Sequence, residues 1–190
     1  MKKIIDNYLN DTTKAFDNLI QSSCDKEISL AAKVIVKAFK NKKKLLICGN
    51  GGSASDSQHF AAELIGRFKK DRKSFPAISL NTDTSAITAI ANDYNYKNIF
   101  SRQIEGIGNK GDILFAISTS GNSENVVYAS SIAKKKGLKV IGLTGFSKSK
   151  LDRNCDICIK VPENETSHIQ ELHIVVIHML CIIIEHEIID

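Results

Sequence analysis

Five short apolar runs constrain what this chain can fold into: LLICG (45–49), PAISL (76–80), DILFAIS (112–118), KVIGLTG (139–145) and DICIKV (156–161). Each is rich in β-branched and other apolar residues, and segments of helical length separate them. Strands apolar on both faces need cover on both sides, which points to a parallel sheet between two layers of helix. The reading is α/β: a doubly wound, five-stranded parallel sheet flanked by helices. Residues 2–22 and 26–41 read as amphipathic helices, the second with Ile28, Ala31, Ala32, Val34, Ile35 and Phe39 on one side. They form an N-terminal helical pair (1–41) ahead of the sheet core and C-terminal helix (42–190). With 190 residues and no repeat, linker or low-complexity tract, one domain is expected.

The last helix, from about Thr166 to Ile188, is apolar nearly all round and must be buried. A domain of this size rarely encloses such a helix, so an oligomer is expected whose interior includes it and the N-terminal pair. Its apolar run, IVVIHMLCIII (174–184), is too short for a membrane span and is interrupted by His178. The opening residues lack the apolar core and cleavage site of a secretory signal, and the five cysteines, an odd number, fit reduced thiols. The expectation is a cytoplasmic protein with no membrane contact. Cys155 and Cys158 have redox-motif spacing but open a strand-like run, so they read as structural. The net charge of +5 comes from short lysine clusters flanking apolar segments, without interleaved aromatics, so nucleic acid is not implied.

Two loops carry the ligand signal. GNGGSAS (49–55) lies between a strand and a helix, and Gly49, Gly51 and Ala54 match the dinucleotide pattern GxGxxA. That pattern also requires an acidic residue about 20 positions on; here the second strand ends in Asn81 and Asp83, more than 30 on. The second loop, STSGNS, crowds Ser118, Thr119, Ser120 and Ser123 around Gly121 before another helix. A helix cap needs one hydroxyl, whereas a phosphate at a helix N-terminus can use several. Both loops leave carboxyl ends of strands, where doubly wound sheets bind ligands, so a phosphorylated sugar could touch both.

Beyond the glycine turn, His59 and Glu63 share a helical face at i and i+4. Gln170 and His178 lie on the last helix, about 12 Å apart along its axis at ~1.5 Å per residue, which is at the edge of reach for one shared point. Two imidazoles, a carboxylate and an amide oxygen would suit a divalent metal, with zinc favoured. From composition alone, His178, His173 and His186 read as ordinary helix residues.

These motifs together resemble the phosphoheptose isomerases, enzymes of the sugar isomerase (SIS) domain fold. The pieces that carry the resemblance are CGNGGSASDSQHFAAEL (48–64), ANDY (91–94), FSRQ (100–103), STSGNS, and IQELH followed by His178. The resemblance implies a flavodoxin-like SIS domain that interconverts sedoheptulose 7-phosphate and D-glycero-D-manno-heptose 7-phosphate through an enediol. It implies Glu63 and His178 as acid/base residues, and one zinc ion per subunit on His59, Glu63, Gln170 and His178. Asn50, Gly51, Gly52, Ser53, Glu63, Asn92, Asp93 and Gln170 would line the sugar, and Ser118, Thr119, Ser120 and Ser123 the phosphate. The implied assembly is a homotetramer with active sites at subunit junctions, serving heptose synthesis for lipopolysaccharide or capsule. Family members often carry a small or acidic residue and then Arg before IQE; here Ser167 and His168 stand there, and His168 is expected on an exposed loop, with an approach to the metal as the alternative. Two other classes stay open: a non-catalytic SIS protein that binds sugar phosphates or a replication-initiation partner, which predicts a missing acid/base pair, and an amino-sugar isomerase that shares STSGNS without the HFAAE and Gln170/His178 set.

Overall fold

A computed structural model describes residues 1–189. Helices α1 (Lys2–Gln21) and α2 (Asp25–Lys40) precede β1 (Leu45–Cys48), α3 (Gly52–Ile65) and β2 (Ala77–Ser79). Then come α4 (Thr84–Asp93), a 3₁₀ turn (Tyr96–Asn98), α5 (Ser101–Ile107), β3 (Ile113–Ile117) and α6 (Glu124–Lys135). The chain ends with β4 (Lys139–Thr144), α7 (Lys150–Asn154), β5 (Ile157–Lys160) and α8 (Thr166–Ile189).

All five expected strands form, and they pair in parallel in the order β2-β1-β3-β4-β5. The sheet is doubly wound because successive side chains feed opposite layers. Leu45, Ile47, Ile113, Phe115, Ile117, Ile141 and Leu143 join the core beneath α1, α2, α3 and α8. Leu46, Cys48, Leu114, Ala116 and Val140 join the core beneath α5 and α6. Burial on both faces is why these runs show no alternation in the sequence. Phe60 of α3 meets Phe115 edge-on, ring centres 5.1 Å apart, fixing that helix over β3; each such fully buried ring contributes roughly 1.5–3 kcal/mol over exposure.

After β1 the chain winds to β2 on one side, then crosses back to β3 on the other. The β1/β3 boundary is therefore the switch point, where strand ends diverge and leave a crevice. The glycine turn follows β1 and STSGNS follows β3, so topology brings both loops to that crevice.

Helix α8, with 24 residues and a mean hydropathy of 2.0 in its most apolar window, is long and apolar enough to cross a membrane. Here it is a core helix. Leu172, Val176, Ile177, Leu180 and Ile184 are inaccessible beneath α2 and α3, and Glu185 is buried in an ion pair with Arg72. A membrane helix would have no partner waiting for that carboxylate.

Candidate active site

The glycine turn is braced from β2. Asn81 accepts a hydrogen bond from the Gly49 N–H (3.2 Å) and donates to the Gly49 carbonyl (2.8 Å), while Ser57 donates to the same Asn81 oxygen (2.8 Å). The end of β2, where a dinucleotide fold would hold a ribose with an acid, thus supplies an amide whose bonds are spent on the turn. Ser53 is buried in the first turn of α3. A Cβ at Gly52 would lie 2.7 Å from the amide atoms of Gln170, so a side chain there would displace that amide. Gln170 therefore seats directly against the turn.

The STSGNS loop is not spent on capping. Ser123 sits at the N-cap of α6 without a capping hydrogen bond; its hydroxyl instead pairs with that of Ser118 at 3.0 Å. Ser118 is buried, Thr119 half-buried and Ser120 exposed. Gly121 takes φ +62°, and a Cβ there would strike Ser149 Oγ, so glycine is required on two counts. A cleft of about 260 Å³ opens beside the loop, walled by Thr119, Ser120, Asn122, Gly145, Ser147 and Glu163. A larger cavity, about 620 Å³, lies elsewhere, among mostly apolar side chains of α1, α2 and α8.

Sequence reasoning missed the residue that joins the two loops. Asn125, buried in the first turn of α6, exchanges hydrogen bonds with Asn50 in both directions, at 2.8 and 2.9 Å. Tyr96 donates to the same Asn50 oxygen at 3.0 Å. An asparagine at the second position of a serine-capped helix gives no sign of a partner 75 residues away. The Tyr96 contact also brings the ANDY segment to the turn. Asn92 and Asp93, exposed at the end of α4, hydrogen-bond to each other at 2.9 Å.

Helices α3 and α8 run side by side in the same direction, since Gly52 meets Gln170 near their starts and His59 meets His178 further along. His59 Nε2 is 3.2 Å from His178 Nε2 and 3.2 Å from Glu63 Oε1. The Phe68 ring lies on the other side of His178, ring centres 5.4 Å apart and 30° from parallel. Three of the four expected metal-binding or acid/base residues thus come together in one chain. Gln170 does not join them, because eight residues of helix, about 12 Å, separate it from His178. Asp56, one turn before His59, went unnoticed in the sequence. It is half-buried, its Oδ2 lacks a partner among the described residues, and burial pushes its pKa up to about 6 against the opposing pull of His59.

The donor chemistry suits zinc, and two ligands on one tetrahedral ion at ~2.0–2.1 Å stand about 3.3 Å apart, close to both His59 spacings. Among the described residues, however, no three His, Cys, Asp and Glu side chains converge as a metal-holding group. His59 makes two ligand-like pairs, and the four-residue set does not close within one chain.

His168 departs from expectation. Because α8 starts at Thr166, His168 is helical and buried, with Nδ1 2.9 Å from Glu171 Oε2 and its ring against Tyr8 of α1. Glu171 raises the His168 pKa. The residue ties α1 to α8 and is neither an exposed loop group nor part of the His59 cluster. His173 is a core residue as expected: burial pushes its pKa down to about 4, against a smaller pull from the Thr144 backbone. All five cysteines are free; Cys155 donates to the Asp152 carbonyl (3.6 Å) and Cys158 pairs with the Thr144 hydroxyl (3.8 Å).

A family model described as the SIS domain matches residues 7–145. Among named relatives, the phosphoheptose isomerase of a Nitratiruptor species is 54% identical over 158 residues, 83% of this chain and 84% of its own. The chain belongs to the phosphoheptose isomerase family. As a member it is an isomerase with an SIS fold. The phosphoheptose isomerase of Campylobacter concisus is 48% identical over 95% of both chains. The solved phosphoheptose isomerase of Neisseria gonorrhoeae superposes with a TM-score of 0.92 at 38% identity, covering 97% of this chain and 98% of its own. Similarity at this level extends through α8, so the fold reading covers the chain beyond the span of the SIS match.

Proposed function

We propose that the protein interconverts sedoheptulose 7-phosphate and D-glycero-D-manno-heptose 7-phosphate in the cytoplasm, feeding heptose synthesis for lipopolysaccharide or capsule. The observation that carries this reading is the His59–Glu63–His178 cluster, set along α3 and α8 from two ligand loops that Asn50 and Asn125 tie together. A seven-carbon sugar phosphate needs that layout, because its phosphate on C7 is remote from the reacting C1 and C2.

Ser118, Thr119, Ser120 and Ser123 hold the phosphate, with the first turn of α6 adding a favourable dipole. Asn50, Gly51, Gly52, Ser53, Asn92, Asp93 and Gln170 face the sugar. Glu63 takes the proton from C1 of the ketose to give an enediol and returns it to C2, while His178 moves the second proton between the two oxygens. His59 stands between them, its Nε2 3.2 Å from each. Zinc, one ion per subunit, would be held by His59, Glu63 and His178 only once subunit assembly draws the three together, and would then supply polarisation of the carbonyl oxygen. Gln170 is the fourth ligand only if it comes from another subunit, since its own chain seats it on Gly52. The side chain of His59 is 45% exposed, and a homotetramer with active sites at subunit junctions would cover it and exclude water.

Incubating the pure protein with sedoheptulose 7-phosphate and detecting the aldose tests the function. Metal analysis of protein purified without chelator tests the zinc assignment, with about one ion per chain expected and activity falling in strong chelator.

A further inference from the structure

The ion pair between Arg72 and Glu185 belongs to no substrate or metal contact described above, yet it is densely bonded on both sides. Glu185 lies two turns beyond His178 on α8. Its carboxylate accepts from the backbone N–H groups of Phe68 and Lys69 (3.0 Å each) and Lys70 (3.2 Å), and from Arg72 Nε (2.9 Å). Arg72, in the loop between α3 and β2, donates to the carbonyls of Glu63 (2.8 Å), Leu64 (2.9 Å), Gly66 (3.2 Å) and Lys73 (3.2 Å). Its guanidinium also lies 4.0 Å over the Phe75 ring. The two side chains are only 4% and 3% exposed. Burial alone would raise the Glu185 pKa, but the Lys69, Phe68 and Lys70 amides and Arg72 outweigh it and hold the carboxyl below the usual range.

This arrangement exceeds what helix capping needs. The last carbonyls of α3 require partners, and water or a surface lysine would serve. Instead one guanidinium binds the backbone of Glu63 itself and connects it to the helix that carries His178. The same carboxylate fixes the backbone of Phe68, whose ring lies against His178. One buried pair thus determines where the end of α3 stands relative to α8, and so where Glu63 stands relative to His178.

We infer that Arg72 and Glu185 are positioning residues for the isomerisation, acting through Glu63 and His178. The inference rests on the function proposed above. Arg72→Lys keeps the charge and much of the packing but loses the planar fork, and Glu185→Gln keeps the shape but loses the charge. Each variant, assayed well below its melting temperature, is expected to lose turnover by about tenfold or more with KM within about twofold, since small displacements of catalytic groups cost rate at this scale.

A clamp that only supports the fold would lower turnover too, by reducing the fraction of active protein, so the deciding readout is a cycle with Glu63→Gln. If the clamp acts through Glu63, adding Arg72→Lys to Glu63→Gln changes the residual rate by less than about twofold, because coupled groups are not additive. An equal fractional loss in both backgrounds, or wild-type turnover in both clamp variants, overturns the positioning role. Glu185→Gln run through the same cycle carries the test if Arg72→Lys does not fold. A Glu63→Gln enzyme with wild-type turnover sinks the functional reading instead, so the two failures are distinguishable.

Discussion

His59 Nε2 stands 3.2 Å from His178 Nε2 although 119 residues separate them in sequence. The contact exists because α3 and α8 lie in parallel on one face of the sheet, with the Gly52–Gln170 contact setting their register near the N-terminal ends. Chemistry that would be scattered in the chain becomes one site through helix packing.

For the phosphate loop, Ser120→Ala is expected to raise KM by about tenfold or more with turnover little changed. A hydrogen bond to a charged group is worth about 1.5–3 kcal/mol, and a contact remote from the reacting carbons is felt equally in the ground and transition states. Steady-state kinetics decide it. Unchanged constants would leave STSGNS as a turn without a ligand.

The Asn50–Asn125 bridge is expected to matter for stability as well as binding. Asn125→Ala leaves Asn50 without its reciprocal partner in a largely enclosed position, which should cost about 1–3 kcal/mol in chemical unfolding. A variant as stable as wild type would show that the two loops are held together by other contacts.

The strands were legible in the sequence because burial on both faces leaves continuous apolar runs, and all five formed within a residue or two of expectation. The two loops were legible as strand-to-helix turns because glycine and serine clusters interrupt the apolar pattern between β1 and α3 and between β3 and α6. Asn125 and the Arg72–Glu185 pair were not legible, since each depends on a partner 75 or 113 residues away and no local pattern encodes that. His168 was expected on an exposed loop although the last helix was read from about Thr166; it lies in the first turn of α8 and faces Tyr8 of α1, a contact across 160 residues that no local pattern encodes. Gln170 was grouped with His178 by donor chemistry and by the family resemblance; within one chain its amide packs against Gly52 of the glycine turn.

His173 gives a pH prediction. Its folded pKa, about 4, lies below the ordinary histidine value of 6.5. Below pH 6.5 the unfolded chain takes up a proton that the folded chain refuses, so this site's contribution is intact at high pH and is lost as pH falls toward 4. The slope approaches about 1.4 kcal/mol per pH unit. Asp56, raised to about 6, acts with the opposite sign as pH falls below that value, so the comparison must be with a variant. Between about pH 7 and 5, His173→Phe should lose about 2 kcal/mol less than wild type; identical losses would contradict a neutral buried His173.

The exposed apolar residues of α1, Ile4, Ile5 and Leu9 at 72%, 58% and 58% exposure, together with the apolar cavity beside α8, call for cover. Light scattering at micromolar concentration should give a mass of four chains. A monomer would remove the subunit-junction site and leave Gln170 without a route to the metal.

The most direct test compares wild type and Glu63→Gln as aldose forms from sedoheptulose 7-phosphate. Glutamine keeps the size and an oxygen but cannot accept a proton. Wild type is expected to produce D-glycero-D-manno-heptose 7-phosphate, and Glu63→Gln to remain folded while turnover falls by about 10² or more, the scale of a lost general base. Equal rates in the two proteins would contradict the account.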